Sequence, residues 1–388
     1  MTERLYYLDS YLHTFTARLV ETSADGTIAY LDRSAFYPAS GGQPFDTGSI
    51  AGVPVLEVLD EEDRVAHRLS APALPGEVDC RIDWQRRFDH MQQHTGQHLL
   101  SAVFEERFGL RTVSFHLGQD ASTIDLECGT ADSRVVEEAE RRANEVVSEN
   151  RTVTVEFQDA DQAQGLRKAS DRTGPLRIIV IEGLDRSACG GTHVRATGEI
   201  GVILIRKLEK VRQSTRVEFL CGGRAIRRAR ADYEALSRSA QLFSAPLDET
   251  PALVAAQLEA ARSADKARRK LELEIAAYKG KDLYEATAAG PDGVRRHVQR
   301  LTDGSMESLR ALAQSFASQP QAVFAAALEN PPSLLFAVSA DAGIDAGQAL
   351  KELLATAGGR GGGTARMAQG SVPRPDLLEE LLEKLVSG

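Results

Sequence analysis

Two histidine-containing segments about ninety residues apart constrain this chain more than any other feature of its sequence. His94 and His98 are four residues apart in a stretch typical of a helix, so both imidazoles lie on one helical face, with Cβ atoms roughly 5–6 Å apart. Cys189 and His193 have the same spacing, with two glycines between them that permit a tightly folded loop. Three imidazoles and one thiolate form a ligand set suited to Zn²⁺, so the sequence predicts one zinc ion per chain.

Each pair alone is weak evidence for a metal, because histidines at helical spacing often form only a polar stripe. The presence of both pairs makes a metal site the favoured interpretation. Four protein ligands are typical of a closed structural site, whereas a catalytic zinc keeps one position open. Three alternatives therefore stay open: the ion expands its coordination, one residue binds loosely, or the zinc mainly shapes a pocket. Cys189 is the candidate for the loose ligand.

The composition excludes several classes of protein. The 388 residues allow two or three domains with ordinary cores. No apolar run is long enough to cross a bilayer, and the N-terminus lacks the basic start and apolar core of a secretory signal. The four cysteines are scattered, which suits a reducing compartment. We therefore expect a cytoplasmic protein without a membrane anchor.

A net charge of −10 argues against a general nucleic-acid binder. A local cluster of cations nevertheless follows the second metal segment. On charge alone, a solvated face is the simpler interpretation, but the position beside the predicted metal loop favours a surface that contacts phosphates. The main members of this basic track are Arg206, Lys207, Lys210, Arg212, Arg227 and Arg228.

Residue periodicity and turn signals predict an α+β chain. Short strands punctuated by glycine and proline indicate a small barrel, and helices mixed with antiparallel strands indicate the metal domain. The predicted regions are a β-barrel at 1–85, an α+β zinc-binding domain at 86–224, a helical linker or coiled-coil arm at 225–284 and a C-terminal α/β domain at 285–388.

Several elements within these regions are predicted more closely. A helix is expected from Asp89 to Phe108, and a second one at 134–150. In the C-terminal domain, strands at 321–327 and 333–339 precede a helix at 345–356. The glycines from Gly358 onward match no nucleotide-binding fingerprint, so their spacing alone favours a flexible loop.

Four stretches of the chain resemble one known family. The segments around His94 and Cys189 are similar to the two zinc motifs of the editing domain shared by alanyl-tRNA synthetases, threonyl-tRNA synthetases and free-standing AlaX proteins. The stretch from Phe36 to Gly48 resembles the glycine-rich barrel loop of the alanine branch. The stretch from Ala357 to Pro373 resembles the glycine-rich C-terminal domain of the synthetase. With all four in order, the chain is identified as a member of the long-form AlaX family.

This resemblance implies a trans-editing hydrolase that deacylates mischarged tRNA(Ala), chiefly Ser-tRNA(Ala), with Gly-tRNA(Ala) as the second candidate. It implies zinc-dependent ester hydrolysis, contacts between the basic track and tRNA, and a C-terminal domain that binds tRNA or pairs two subunits. A homodimer through the helical arm or the C-terminal domain is therefore expected.

The resemblance also implies substrate-binding residues. Ser34 stands where many relatives carry threonine, and it is predicted to bond the hydroxyl of a substrate serine. His116 is a supporting candidate near the pocket, although by itself it is an ordinary strand residue. The general base is not identified. The other implied substrate contacts are Gly41, Gly42, Gln43, Ser114 and Thr192.

Two other functions stay open. The first is a non-catalytic module in which zinc stabilises a tRNA-binding fold. The second is a zinc peptidase, which has a glutamate directly after the first helical histidine to serve as the base. Here Thr95 follows His94, so that base is missing.

Overall fold

The computed structural model describes residues 1–168 and 173–387. The chain divides into two compact units, Met1–Ser239 and Ala240–Gly388. Both units combine helices with antiparallel strand pairs, which confirms the predicted α+β class. The finer boundaries at 85, 224 and 284 stay a prediction. Within the described residues, no helix is long and apolar enough to cross a membrane.

The first unit begins with a small barrel built from six strands in the order β2-β3-β7-β6-β5-β8. Buried aliphatic side chains such as Leu19, Leu31 and Ile50 fill its interior. The short strands β1 and β4 form a separate parallel pair. The strands are β1 Glu3–Arg4, β2 Thr14–Thr22, β3 Ile28–Leu31, β4 Arg33–Ser34, β5 Gly48–Ile50, β6 Val53–Glu61, β7 Arg64–Leu69 and β8 Gly76–Ile82.

The central helix α1, Trp84–Phe108, begins five residues before the predicted start. Asp83 accounts for the earlier start, because its side chain accepts the backbone N–H of Arg86 and caps the first turn. The helix ends at Gly109 with φ +65°, as glycine permits. Its middle, residues 93–104, is buried throughout, and apolar residues there join one large core with the sheets and the next helix.

Two antiparallel sheets complete the first unit, in the orders β14-β15-β10-β9 and β11-β12-β13. The helix predicted at 134–150 is present as α2, which packs against α1. The remaining elements are β9 Thr112–Leu117, β10 Ser122–Leu126, α2 Ser133–Glu149, β11 Val153–Asp159, β12 Pro175–Ile181, β13 Asp185–Ala188, β14 Ile203–Val211, β15 Ser214–Cys221 and α3 Gly222–Leu242.

The second unit contains a five-stranded mixed sheet in the order β16-β17-β18-β20-β19. Its long first helix, α4, packs against α5 where Gly280 lies close to the backbone of Leu312. The coiled-coil pairing of the helical arm stays a prediction. The elements are α4 Thr250–Ala286, β16 Arg295–Leu301, α5 Met306–Ala317, β17 Ala322–Leu328, β18 Ser333–Val338, α6 Ala346–Thr356, β19 Arg360–Gly363, β20 Met367–Ser371 and α7 Leu378–Ser387.

The expectation of a flexible loop after Gly358 is wrong, because the glycines form strand β19 and pair with β20. Glycine is needed at some of these positions because helix α6 packs directly on the two strands. A Cβ atom at Gly370 would lie 2.2 Å from Leu354 Cδ1, and one at Gly361 would lie 2.6 Å from the same atom. Gly362 points the other way and has nothing within 4 Å. The glycines therefore form a slot that receives Leu354.

Substitution of Gly370 by alanine should overfill this slot and destabilise the sheet by about 1–3 kcal/mol, as overpacking typically does. Gly362→Ala is the matched control, since its methyl group enters open space. Hydrogen–deuterium exchange of the β20 amides in the full chain measures the difference. Equal exchange in the two variants would contradict the packing explanation.

Candidate metal centre

The four predicted ligands meet at one point. Their donor atoms all lie within 4.8 Å of one another, and no other group of histidine, cysteine and carboxylate side chains in 1–168 and 173–387 is close enough to hold an ion. Cys189 Sγ lies 3.4 Å from His94 Nε2 and 3.4 Å from His193 Nε2. The three histidines are buried, whereas Cys189 is partly exposed. The helix α1 and the loop after β13 therefore build the cluster that the spacing predicted.

Each of the three histidines is also held at its second ring nitrogen. Metal-binding histidines usually make such an outer hydrogen bond, because it fixes the ring and leaves the other nitrogen free for the ion. The partners are an amide, a carboxylate and a hydroxyl, and the donor set therefore fits a bound metal. The contacts are His94 Nδ1 to Gln43 Oε1 at 2.8 Å, His98 Nδ1 to Asp185 Oδ2 at 2.9 Å and His193 Nδ1 to Thr95 Oγ1 at 3.1 Å.

Asp185 is the one charged outer partner among these three. Besides His98, its carboxylate accepts hydrogen bonds from Arg167 Nε at 2.7 Å and from the hydroxyl of Ser187. Burial opposes its ionisation, but His98 and Arg167 outweigh it and lower the pKa of Asp185 to about 2. Burial likewise opposes a charged His98, yet the bond to Asp185 and the nearby Cys189 raise the pKa of His98 to about 9.

The thiol of Cys189 is poised as a thiolate. Burial acts against its ionisation, but the imidazoles of His94 and His193 outweigh burial and hold the pKa of Cys189 well below its usual value. Burial lowers the pKa of His193 to about 3, so its imidazole is neutral. Metal binding requires a thiolate and neutral imidazoles, so a bound ion would have to displace the proton that Asp185 and Cys189 favour on His98.

The loop that carries Cys189 is held by the buried Arg177. Its Nη1 donates to the carbonyl oxygens of Cys189 and Gly191, each at 2.8 Å. Gly191 is required for close approach, because a Cβ there would lie 2.2 Å from the ring of His94. Gly190 packs against the ring of Tyr7. Neither glycine has a positive φ, so packing and not left-handed backbone explains the pair.

The barrel loop that carries the predicted substrate residues is a two-residue turn. Gly41 and Gly42 have φ values of +54° and +81°, which glycine adopts without strain. Ser40 and Gln43 pair across the turn through two backbone hydrogen bonds of 3.2 and 3.0 Å. Gly42 lies against the ring of Phe115, whereas Gly41 faces open space. The turn therefore directs Gln43 inward to His94.

Ser34 is fully enclosed in the barrel. Its Oγ accepts the backbone N–H of Phe36 at 3.2 Å and lies 2.8 Å from His67 Nε2. Because His67 Nδ1 donates to the carbonyl of Ala29 at 3.1 Å, the Nε2 atom is the acceptor and the Ser34 hydroxyl donates to it. The hydroxyl hydrogen of Ser34 is thus already engaged in a hydrogen bond inside the barrel.

Strand β9 does not bring His116 and Ser114 to the cluster. Phe115 lies against His94, with ring centroids 5.8 Å apart, and its two neighbours point to the opposite face of the sheet because side chains alternate along a strand. On that face, Ser114 donates to Asp125 at 2.6 Å, and Arg216 donates to the same carboxylate. Both neighbours of Phe115 are exposed.

The basic track follows β14, the turn after it and the start of α3. Part of its charge is already paired: Arg206 and Arg228 both contact Asp232, and Lys207 contacts Glu209 at 3.1 Å. Its remaining members are Lys210, Arg212 and Arg227, of which Lys210 and Arg212 lie at the β14–β15 turn and Arg227 lies on the exposed side of α3.

Asp185 and Thr95 contact predicted ligands in a way that the sequence did not reveal. Thr95 accepts the backbone N–H of Val194 at 3.2 Å as well as its bond to His193. It occupies the position of the glutamate base of a zinc peptidase and is buried with its hydroxyl engaged, which removes support for that alternative. No sequence motif marks Asp185, so only the packing of β13 against α1 could have identified it.

Comparison with known proteins gives consistent matches along the chain. The family model of the threonyl and alanyl tRNA synthetase second additional domain matches residues 176–218, and the DHHA1 domain matches residues 293–387. The alanyl-tRNA editing protein AlaX-L of Pyrococcus horikoshii is 32% identical over 408 residues, covering 100% of this chain and 99% of that protein.

Two further relatives show how this similarity extends. The alanyl-tRNA editing protein Aarsd1 of Danio rerio is 32% identical over 353 residues, which cover 88% of this chain and 83% of the relative. The alanine–tRNA ligase of Pyrococcus abyssi is 31% identical over 411 residues, covering 99% of this chain but 43% of the ligase. The chain thus matches the full length of one editing protein and less than half of a ligase.

Replacing Asp185 by asparagine should weaken metal binding about 10–100-fold, because His98 loses its charged partner. Asp125→Asn is a matched control, since Asp125 also accepts bonds from an arginine and a serine but touches no predicted ligand. Competition of each variant with a chelator for Zn²⁺ measures the affinity. Equal affinities for the two variants would contradict the assigned role.

Proposed function

Because this chain belongs to the family of alanyl-tRNA editing proteins, we propose that it is an aminoacyl-tRNA deacylase that hydrolyses the ester of mischarged tRNA(Ala). The observation that carries the proposal is the converged cluster of His94, His98, Cys189 and His193 with its three outer partners. The names of the full-length relatives supply the substrate class.

The proposed metal is Zn²⁺, held by the three Nε2 atoms and the thiolate. This donor set suits zinc, and the low pKa of Cys189 favours the thiolate that zinc prefers. When bound, zinc supplies a Lewis acid that can polarise an ester carbonyl or acidify a water molecule. Cys189 is the one partly exposed residue of the set.

The protein's own residues give the centre its rigidity. Arg177 holds both carbonyls of the metal loop, and Asp185 holds the ring of His98. Rigid placement matters because catalysis depends on groups held in the productive geometry before the substrate arrives.

The proposed preference for serine follows from the chemistry of discrimination. A synthetase site for alanine rejects an added hydroxyl only weakly, so a separate hydrolytic site corrects the error. Ser34 stays the proposed contact for the substrate hydroxyl. Because the Ser34 hydroxyl donates its hydrogen bond to His67, it can only accept a hydrogen bond from the substrate hydroxyl.

The proposed tRNA contacts are the basic track and the second unit. Lys210, Arg212 and Arg227 supply positive charge that phosphates can neutralise. The match of residues 293–387 to the DHHA1 domain supports a role of the second unit in tRNA binding or subunit pairing. We propose the same partner, tRNA(Ala), for both surfaces.

The competing function is a non-catalytic module that binds tRNA and is stabilised by zinc. One observation favours it: four protein donors converge on one point, as in closed structural zinc sites. The two functions differ in turnover, so a deacylation assay separates them.

Purified protein should release serine from Ser-tRNA(Ala) and leave Ala-tRNA(Ala) largely intact, with Gly-tRNA(Ala) as a third substrate in the same assay. Cys189→Ala should lower the rate by more than about 100-fold, since losing a ligand costs more than losing an outer partner. Cys128→Ala is the control, because Cys128 is another partly exposed thiol outside the cluster. If no ester is cleaved while zinc and tRNA still bind, the non-catalytic module is the correct function.

A further inference from the structure

Gln43 is a buried amide that is not one of the four candidate metal ligands. It belongs to the barrel loop, yet only 2% of its surface is exposed and its polar atoms contact α1 and the loop after β13. Oε1 accepts from His94 Nδ1 at 2.8 Å and from the backbone N–H of Thr192 at 3.1 Å, while Nε2 donates to Thr192 Oγ1 at 2.8 Å. One side chain therefore joins the barrel to both elements that carry the metal ligands.

The backbone of Thr192 determines which way this amide faces. Its N–H can only donate, so the atom of Gln43 that lies 3.1 Å away must be the oxygen. The same oxygen contacts His94 Nδ1, which must then carry the ring proton. The Nε2 atom of His94 is then unprotonated, and its lone pair is available to a metal. This is the atom that lies beside the sulfur of Cys189. Gln43 thus selects the tautomer that binds a metal.

The surrounding packing leaves little freedom at this junction. A Cβ at Gly191 would lie 2.2 Å from His94 Cε1 and 2.9 Å from Gln43 Oε1, so the loop, the helix and the barrel meet at van der Waals distance. On the other side of the turn, the Gly42 carbonyl accepts the N–H of Leu117 at 3.2 Å. A displacement of the barrel loop would therefore move His94.

We propose that Gln43 is a positioning residue that couples the barrel to the metal centre, so that metal binding and ordering of the barrel loop stabilise each other. This inference deepens the proposed function and rests on it for the identity of the metal. It differs from the prediction that Gln43 contacts the substrate. Such coupling is reciprocal: if the loop strengthens metal binding, the metal must protect the loop to the same extent.

Co²⁺ is a suitable probe, because its visible absorption reports the ligand geometry without any need for turnover. In the full chain, Gln43→Met should lower Co²⁺ affinity about 10–100-fold, as loss of an outer partner does, and should shift the spectrum. Gln43→Glu keeps an acceptor for His94 and should recover most of the affinity. Gln93→Met is the matched control, since Gln93 is equally buried beside His94 but bonds only the backbone of Cys221 and of its own helix.

Hydrogen–deuterium exchange of the segment from Phe36 to Gly48 tests the reciprocal effect. Metal should slow exchange of these amides in the wild type and in Gln93→Met, and should have no such effect in Gln43→Met. If Gln43→Met fails to fold, Thr192→Val removes one of the three contacts and should show a smaller loss of the same kind.

The proposal is overturned if Gln43→Met keeps wild-type Co²⁺ affinity, spectrum and metal-dependent protection. A raised KM for Ser-tRNA(Ala) with those properties unchanged would instead assign Gln43 to the substrate. Failure of the proposed function is a separate outcome: a chain that cleaves no aminoacyl ester would still give the metal and exchange results that decide the role of Gln43.

Discussion

The ion pair between Arg87 and Asp46 is the interaction on which the rest of the first unit depends. Both side chains are completely buried, and Arg87 also donates to the carbonyls of Ser10 at 2.8 Å and Ala35 at 2.5 Å. A buried charge is tolerated only when it is paired and hydrogen-bonded. Here the pair attaches the first turns of α1 to the barrel, and this attachment sets the position of the helix that carries two of the four candidate metal ligands.

A second attachment lies close by on both elements. Gln43 precedes Asp46 by three residues, and His94 follows Arg87 by seven, which is about two helical turns on the same face. One short barrel segment thus contacts α1 at two points, once through an ion pair and once through an amide. Two contacts define both the distance and the rotation of the helix, whereas one contact would leave the rotation free. The orientation of His94 depends on this geometry.

Packing and electrostatics contribute to the metal centre in different ways. Glycines at 190 and 191 let the metal loop approach Tyr7 and His94, and Arg177 then holds its carbonyls in place. The three histidine rings are held by outer partners of three kinds, of which only Asp185 is charged. The glycines of β19 and β20 in the second unit show the same use of small residues, because they make room for Leu354 and form no loop.

The sequence by itself determined which four residues form the candidate metal cluster, the helix that carries two of them and the α+β class. The helical pair follows from local spacing, because residues four apart share a helical face. The glycine pair marked the tight loop, although the structure shows that close packing, and not left-handed backbone, requires the glycines. Only the tertiary structure decided the rest. Strand alternation turned Ser114 and His116 away from the cluster, the barrel enclosed Ser34, and chain segments distant in sequence brought Gln43, Thr95 and Asp185 to the histidines. Such contacts depend on how separate elements pack, and no pattern within a single segment encodes that packing.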